Sequence, residues 1–349
     1  MDPRFVALQK RAAECSDVIG LAGGLPADEL LPRDELAQAL ADVTASRKDA
    51  LQYGWPEGVE QLRTWIANRL AARGATVEPD RVIITAGAQQ ALSIAGAMFA
   101  GRAIAVGAAT YPAAIQAFLR AGARVVEHGG DARYVIVGVA NPQGVALDES
   151  LGEIPLIVDE AYAELRFDGE LPPLLQAAAP DRVWHVGTIS KTLAPGLRVG
   201  WLVPPAAEHE AALAIKHAAD LQTASLSQAA LARFLATFDY DHFAGRARAA
   251  YAERASALVT GMRRHAPMLE FTEPDGGFSI WIETDVKGDE VALLKAALAE
   301  GVMVDPGSEF RALPDERIAF RVSYSHVGPE QLDEGARRVA RMFERFVRE

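Results

Sequence analysis

Seven short runs rich in β-branched residues constrain this chain of 349 residues more than any other feature. They are RVIIT at 81–85, AIAVG at 103–107, ARVVEH at 123–128, YVIVGVA at 134–140, PLIVDE at 155–160, RVWHVGT at 182–188 and RVGWLV at 198–203. Runs this short and apolar, ending at small or polar residues, read as strands buried on both faces. Helical patterns such as QQALSIAGAMF and YPAAIQAFLRAG fall between several of them. Strands that alternate with helices predict an α/β fold around a mostly parallel seven-stranded sheet. Only a short loop joins RVWHVGT to RVGWLV, too short for a helical crossover, so this pair is expected to be antiparallel and the sheet mixed. Ligands of such a sheet bind beyond the strand C-termini.

A different pattern follows. From about Ser225 the chain reads as helical, through HFAGRARAAYAERASALVTGMRRH, and GGFSIWIE and RIAFRVSYS then read as strands around the helix VALLKAALAEG. This predicts a smaller α+β domain, in keeping with a length that suits two lobes. The helix DELAQALADVTAS near the N-terminus has no core of its own. The expected division is an N-terminal segment, 1–45, packing with the small domain, a large domain over 46–235 and a small C-terminal domain over 236–349.

Charge and cysteine usage remove several classes of function. A formal charge of −12 opposes binding to a phosphate backbone, so no nucleic-acid partner is expected. Cys15 is the single cysteine, which excludes an internal disulfide framework and a multi-cysteine metal site; no metal is expected. The N-terminus is broken by charges, and the most apolar run, Ala91 to Gly101, is far shorter than the roughly 20 residues of a spanning helix. These features predict a cytoplasmic protein with no membrane partner.

The chain has six lysines, and Lys191 in GTISKTLAPGLRVG differs from the rest. It follows an apolar strand and precedes a Pro/Gly loop at the C-terminal edge of the sheet, whereas Lys10, Lys48, Lys216, Lys287 and Lys295 read as solvated. Desolvation lowers a lysine's pKa, as a Schiff-base lysine requires; taken alone, a snorkelling or ion-paired lysine is the commoner outcome. Asp159 ends the strand PLIVD, where a carboxylate could hold a pyridine nitrogen protonated or merely cap a turn. Tyr162, three residues on, is placed to reach a phenolic oxygen of the same ring or to pack. Asn141 opens the turn Asn-Pro-Gln-Gly after another strand, which would aim its amide above the sheet.

An anion site can be assembled on the same edge. The strand RVIIT runs through AGAQQ into a helix, so N–H groups near Ala88 and Gln89 form a cradle at a helix N-terminus. Thr188 and Ser190 add hydroxyls, and Arg198 adds a permanent cation, unless it serves a structural ion pair. Tyr111 could stack on a planar ring, and Tyr53 lies in the Gly/Pro-rich loop LQYGWPEG. Arg321, inside the strand FRVSYS, either faces a cleft and clamps a carboxylate or pairs with an acid of its own lobe.

Together these segments resemble the class I/II aminotransferases of fold type I, which use pyridoxal 5'-phosphate. The motifs are AGGLP at 22–26, YGWPEGVEQLR at 53–63, TAGAQQAL at 85–92, TYP at 110–112, NPQG at 141–144, VDEAY at 158–162, TISKTLAPGLRVGW at 188–201 and FRVSYS at 320–325. The α-aminoadipate-type branch is the most similar. The resemblance implies a PLP-dependent transaminase that moves an amino group between an α-amino acid and a 2-oxo acid through a Lys191 aldimine. Asp159 would bind the ring nitrogen, Asn141 and Tyr162 the phenolic oxygen, and Tyr111 the ring face. Ala88, Gln89, Thr188, Ser190 and Arg198 would bind phosphate, with Tyr53 reaching the cofactor of the partner in a homodimer. Arg321 would clamp the substrate α-carboxylate, helped by Asn141, Gly23 and Gly24. Ala88 and Thr188 stand where relatives usually carry serine, and GAATYP replaces a segment with an acid and a proline, departures that point to weaker phosphate binding.

Other chemistry fits the same residues. A PLP-dependent lyase, decarboxylase or racemase on this fold would use the same lysine and acid. A non-catalytic PLP-binding sensor is a further alternative, disfavoured by a fold that begins within the first few dozen residues.

Overall fold

The structure, a computed structural model, describes residues 2–146 and 151–348; Met1 and Glu349, the outer limits of the expected domains, lie outside them. The N-terminal segment forms α1 (Pro3–Glu14), β1 (Ile19–Gly20) and α2 (Arg33–Ser46). The large lobe continues with α3 (Glu60–Ala71), β2 (Ile83–Thr85), α4 (Ala88–Met98), β3 (Ala103–Ala105), α5 (Pro112–Arg120), β4 (Arg124–Val126), β5 (Ala132–Ile136) and β6 (Leu156–Asp159). It closes with α6 (Leu175–Ala178), β7 (Val183–Thr188), β8 (Gly200–Val203), α7 (His209–Asp220) and α8 (Ser225–Thr237).

All seven strand runs join one sheet, in the order β2-β8-β7-β6-β5-β3-β4. The neighbours from β4 to β7 are parallel, and β8 runs antiparallel to both β7 and β2, as its short connection requires. The central strands are apolar on both sides because both faces are covered. Ile104, Tyr134, Ile157 and Val186 face Leu92 of α4 and Phe118 of α5, while Val135, Val158 and Val183 face Leu175. Each fully buried aliphatic side chain contributes about 1.5–3 kcal/mol. On β4 exposed Arg124 blunts the sheet edge.

The second lobe comprises α9 (Tyr240–His265), β9 (Ser279–Lys287), α10 (Glu290–Ala299), β10 (Val302–Met303), β11 (Asp305–Pro306), β12 (Arg317–Ser323) and α11 (Pro329–Arg348). Its sheet has the order β11-β12-β9, and β1 pairs in parallel with β10. The N-terminal segment therefore divides. Phe5 and Ala12 of α1 join the core of this lobe, but α2 does not follow them. Val43 of α2 packs with Ala50 and with Ala229 of α8, and Ala39 joins the cluster of Leu62, Ile66 and Phe234. The expectation that this helix packs with the small domain is corrected: the apolar face that covers it belongs to α3 and α8.

Candidate active site

β6 and β7 end side by side, with Asp159 in register with Val186, and the chain beyond β7 carries Lys191 over the same edge. Asp159 is 2% exposed. Its Oδ2 accepts from the Tyr134 hydroxyl at 2.9 Å and its Oδ1 from the Ala161 N–H at 2.9 Å. Burial pushes this carboxyl's pKa up, while those two donors and the charge of Lys191 oppose the shift. Lys191 Nζ donates to the Gly24 carbonyl at 3.2 Å and lies 5.4 Å from the ring centroids of Tyr162 and Phe278. Burial, reinforced by Arg321 and Arg198 and opposed by Asp159, lowers its pKa to about 8. Burial raises the Tyr111 and Tyr162 hydroxyls to about 12, so both stay protonated at neutral pH.

The expected anion cradle lies where β2 enters α4. Gly87 has φ 77°, and a Cβ there would stand 2.6 Å from Arg198 Nη2, so only glycine leaves the guanidinium its place. Arg198 itself has φ 54° and donates to the carbonyls of Pro195 and Ala86 at 3.2 and 3.1 Å. The first N–H groups of α4, at Ala88 and Gln89, have no intrahelical partner by the geometry of any helix. Gln89 Nε2 donates to the Ala113 carbonyl, and its Oε1 is buried without a hydrogen bond. Thr188 and Ser190 are buried with their hydroxyl oxygens 2.9 Å apart, and Thr188 also donates to the Val199 carbonyl.

Arg321 reaches the edge from β12. Its Nη1 donates to Asn141 Oδ1 at 2.9 Å, while Nε and Nη2 both donate to Asp305 Oδ2 at 2.9 and 2.7 Å. Both readings of Arg321 thus hold in part: it pairs with an acid of its own lobe and faces the cleft. A cavity of ≈ 1120 Å³ opens here, lined by Gly23, Gly24, Tyr111, Asn141, Tyr162, Lys191 and Arg321 among others. Of the other expected site residues, Asp159, Ala88, Gln89, Thr188, Ser190 and Arg198 are not among its lining residues, and neither is Tyr53, which is 80% exposed on a separate loop.

Three residues escaped the sequence reading. Tyr134 was visible only as the first residue of a strand run, and Asp305 only as an acid breaking the apolar VMVDPG. Lys216, expected in solvent, is fully buried on α7 and bonds Asp220 at 2.9 Å; the acid four residues on was the signal that its charge could be carried inward.

The sequence profile of the family described as "Aminotransferase class I and II" matches residues 16–129 and 135–339. The chain belongs to this family. The aminotransferase is 33% identical to a 2-aminoadipate transaminase of Thermus thermophilus, over 93% of this chain and 89% of that protein. It has a TM-score of 0.86 and 29% identity to the crystal structure of an α-aminoadipate aminotransferase of the same species complexed with N-(5'-phosphopyridoxyl)-L-leucine, covering 98% of this chain and 95% of that one. It is also 28% identical to an uncharacterised HTH-type transcriptional regulator of Bacillus subtilis, over 95% of this chain and 75% of the relative.

Pyridoxal phosphate is the cofactor of this aminotransferase, and the residues fit it. Asp159 is a buried carboxylate that makes no ion pair among the described residues, a costly state that a protonated ring nitrogen would relieve. Gly87 leaves room for the Arg198 guanidinium beside the free N–H groups at the start of α4, a donor set suited to a phosphate. No helix among the described residues is long and apolar enough to cross a membrane.

Proposed function

We propose that Lys191 is the catalytic residue of a PLP-dependent transamination between an α-amino acid and a 2-oxo acid. When bound, the cofactor supplies a carbonyl for imine exchange and a ring that accepts electron density from the substrate α-carbon. The protein's part is binding, orientation and proton transfer. Asp159, held by Tyr134 and Ala161, keeps a negative charge against the ring nitrogen, and Asn141 and Tyr162 hold the phenolic oxygen. Tyr111 covers the ring, and Ala88, Gln89, Thr188, Ser190 and Arg198 bind phosphate. Arg321, with Asn141 and the Gly23–Gly24 backbone, clamps the α-carboxylate. Lys191 Nζ, with a pKa lowered to about 8, accepts and returns the α-proton near neutral pH.

The observation that carries this reading is that Lys191 and Arg321 line one cavity while Asp159, buried at the end of β6, is close enough to act on the charge of Lys191. We further assign the division into 46–235 and 236–349, a cytoplasmic location without nucleic-acid partners, and a homodimer in which Tyr53 reaches the partner's cofactor. Absorption spectra of the protein with pyridoxal phosphate, before and after single amino acids, test the function. One or a few amino acids should shift the long-wavelength band to that of the amine form while the matching 2-oxo acid accumulates. Lys191→Ala should fold and lose turnover by at least about 100-fold. A band that no amino acid converts, or an active Lys191→Ala variant, would refute the assignment.

A further inference from the structure

A buried guanidinium needs a counter-charge before any substrate arrives, and Asp305 supplies it. The Arg321 and Asp305 side chains are only 8% and 7% exposed. Asp305 Oδ2 takes one N–H from Nε and one from Nη2, and Asn141 takes one from Nη1. Three of the five guanidinium N–H groups are thereby committed, leaving one on each Nη. A carboxylate is gripped by such a pair of donors. The carboxylate of Asp305 also anchors the backbone opposite, since the Gly23 N–H donates to both of its oxygens, at 3.0 and 3.0 Å. This bond lays the next residue, Gly24, over the guanidinium, where a Cβ would come within 3.3–3.5 Å of its atoms. The Phe310 ring centroid lies 4.7 Å from Cζ. The guanidinium is thus fixed along its edge, confined by Gly24 and Phe310, and tied to the large lobe through Asn141.

We propose that Asp305 is a positioning residue for substrate recognition: it orients Arg321 so that the two free N–H groups meet the α-carboxylate, and it neutralises the arginine while the site waits. The inference rests on the reading of Arg321 as the carboxylate clamp. It differs from a purely structural role in what it predicts, because a positioning role acts only on ligands that carry a carboxylate.

The test uses the holoenzyme with Asp305→Asn, Asp305→Glu and Arg321→Lys. Each is assayed by single-turnover conversion of the cofactor band, with an amino acid that the wild type converts and with the primary amine of the same side chain. Asp305→Asn should lower the amino-acid rate constant at limiting concentration by about 100-fold, the effect of a misplaced reacting geometry, and leave the amine within about twofold. Binding of propionate, read as a perturbation of the cofactor band, should weaken in parallel. Asp305→Glu keeps the charge with a longer arm and should give a smaller loss confined to the amino acid, which keeps the proposal testable if the asparagine variant misfolds. Equal losses for amino acid and amine, or no loss while Arg321→Lys is impaired, would overturn the role of Asp305. If Arg321→Lys leaves the amino acid unaffected, the clamp reading itself fails.

Discussion

At Lys191, solvation decides the chemistry. Burial and two arginines work against the ammonium form, and the single opposing carboxylate, Asp159, does not restore the ordinary value of 10.5; the folded pKa is about 8. Folding therefore binds fewer protons at this group between about pH 8 and pH 10.5. The sign follows: its contribution to stability is unfavourable below pH 8 and improves as pH rises through that window. The same shift should govern how the apoprotein takes up its cofactor, because only the neutral amine attacks a carbonyl. The rate of covalent uptake, followed by absorbance, should rise about tenfold per pH unit below 8 and level off above it. A midpoint above pH 10 would show that Lys191 is solvated as an ordinary lysine. Lys191, Asp159 and Arg321 were legible in the sequence because each is a charge set in an apolar strand context, where charge needs a reason. Tyr134 and Asp305 were not, because what matters is the partner each meets, 25 and 16 residues away along the chain, and spacing carries no record of that contact.

Among the elements, the approach of α7 to α4 links a partly buried ion pair to the anion cradle. Lys216 Nζ donates to one oxygen of Asp220, the other oxygen accepts from Gln90 Nε2 at 2.7 Å, and Gln90 Oε1 accepts from the Ala86 N–H at 2.7 Å. The chain of bonds ends one residue before Gly87, so it braces the loop that carries the cradle. Burial depresses the pKa of Lys216, while Asp220 and Glu57 resist the shift. Lys216→Met should leave the Asp220 carboxylate without its cation at a site 24% exposed, so the loss falls below that of a fully buried pair, at about 2 kcal/mol. Urea denaturation checks the stability, and cofactor titration of the apoprotein should show weaker affinity as the loop loosens. Unchanged stability would mean that water replaces the lysine without penalty. The strands that frame this site were readable because a strand covered on both faces has few ways to be composed. Helix α2 was misplaced for the complementary reason: an amphipathic stripe records that it is covered, not which lobe covers it.

Across the whole molecule, Tyr53, an expected site residue that the cavity does not gather, is as informative as those it does. Tyr53 and Trp55 are 80% and 77% exposed, and Leu51 is exposed beside them, on a loop tied to Gln222 through the Gly54 N–H. Large apolar side chains clustered on a surface loop suit an interface better than solvent. In the proposed homodimer the two-fold axis makes each loop serve the opposite site, so a Tyr53 defect and a Lys191 defect should complement each other. Tyr53→Ala and Lys191→Ala should each be impaired alone. After subunits are exchanged by mild denaturation and refolding of an equal mixture, half of the dimers are mixed, and each carries one site with both residues intact. Activity should return to about a quarter of the wild-type value per chain, and sedimentation should give twice the 37.4 kDa chain mass. If Tyr53 served its own chain's cofactor, every site in the mixed dimer would keep one defect and no activity would return. A monomeric protein with full turnover would remove the shared site altogether, and with it the reason for an exposed tyrosine at this position.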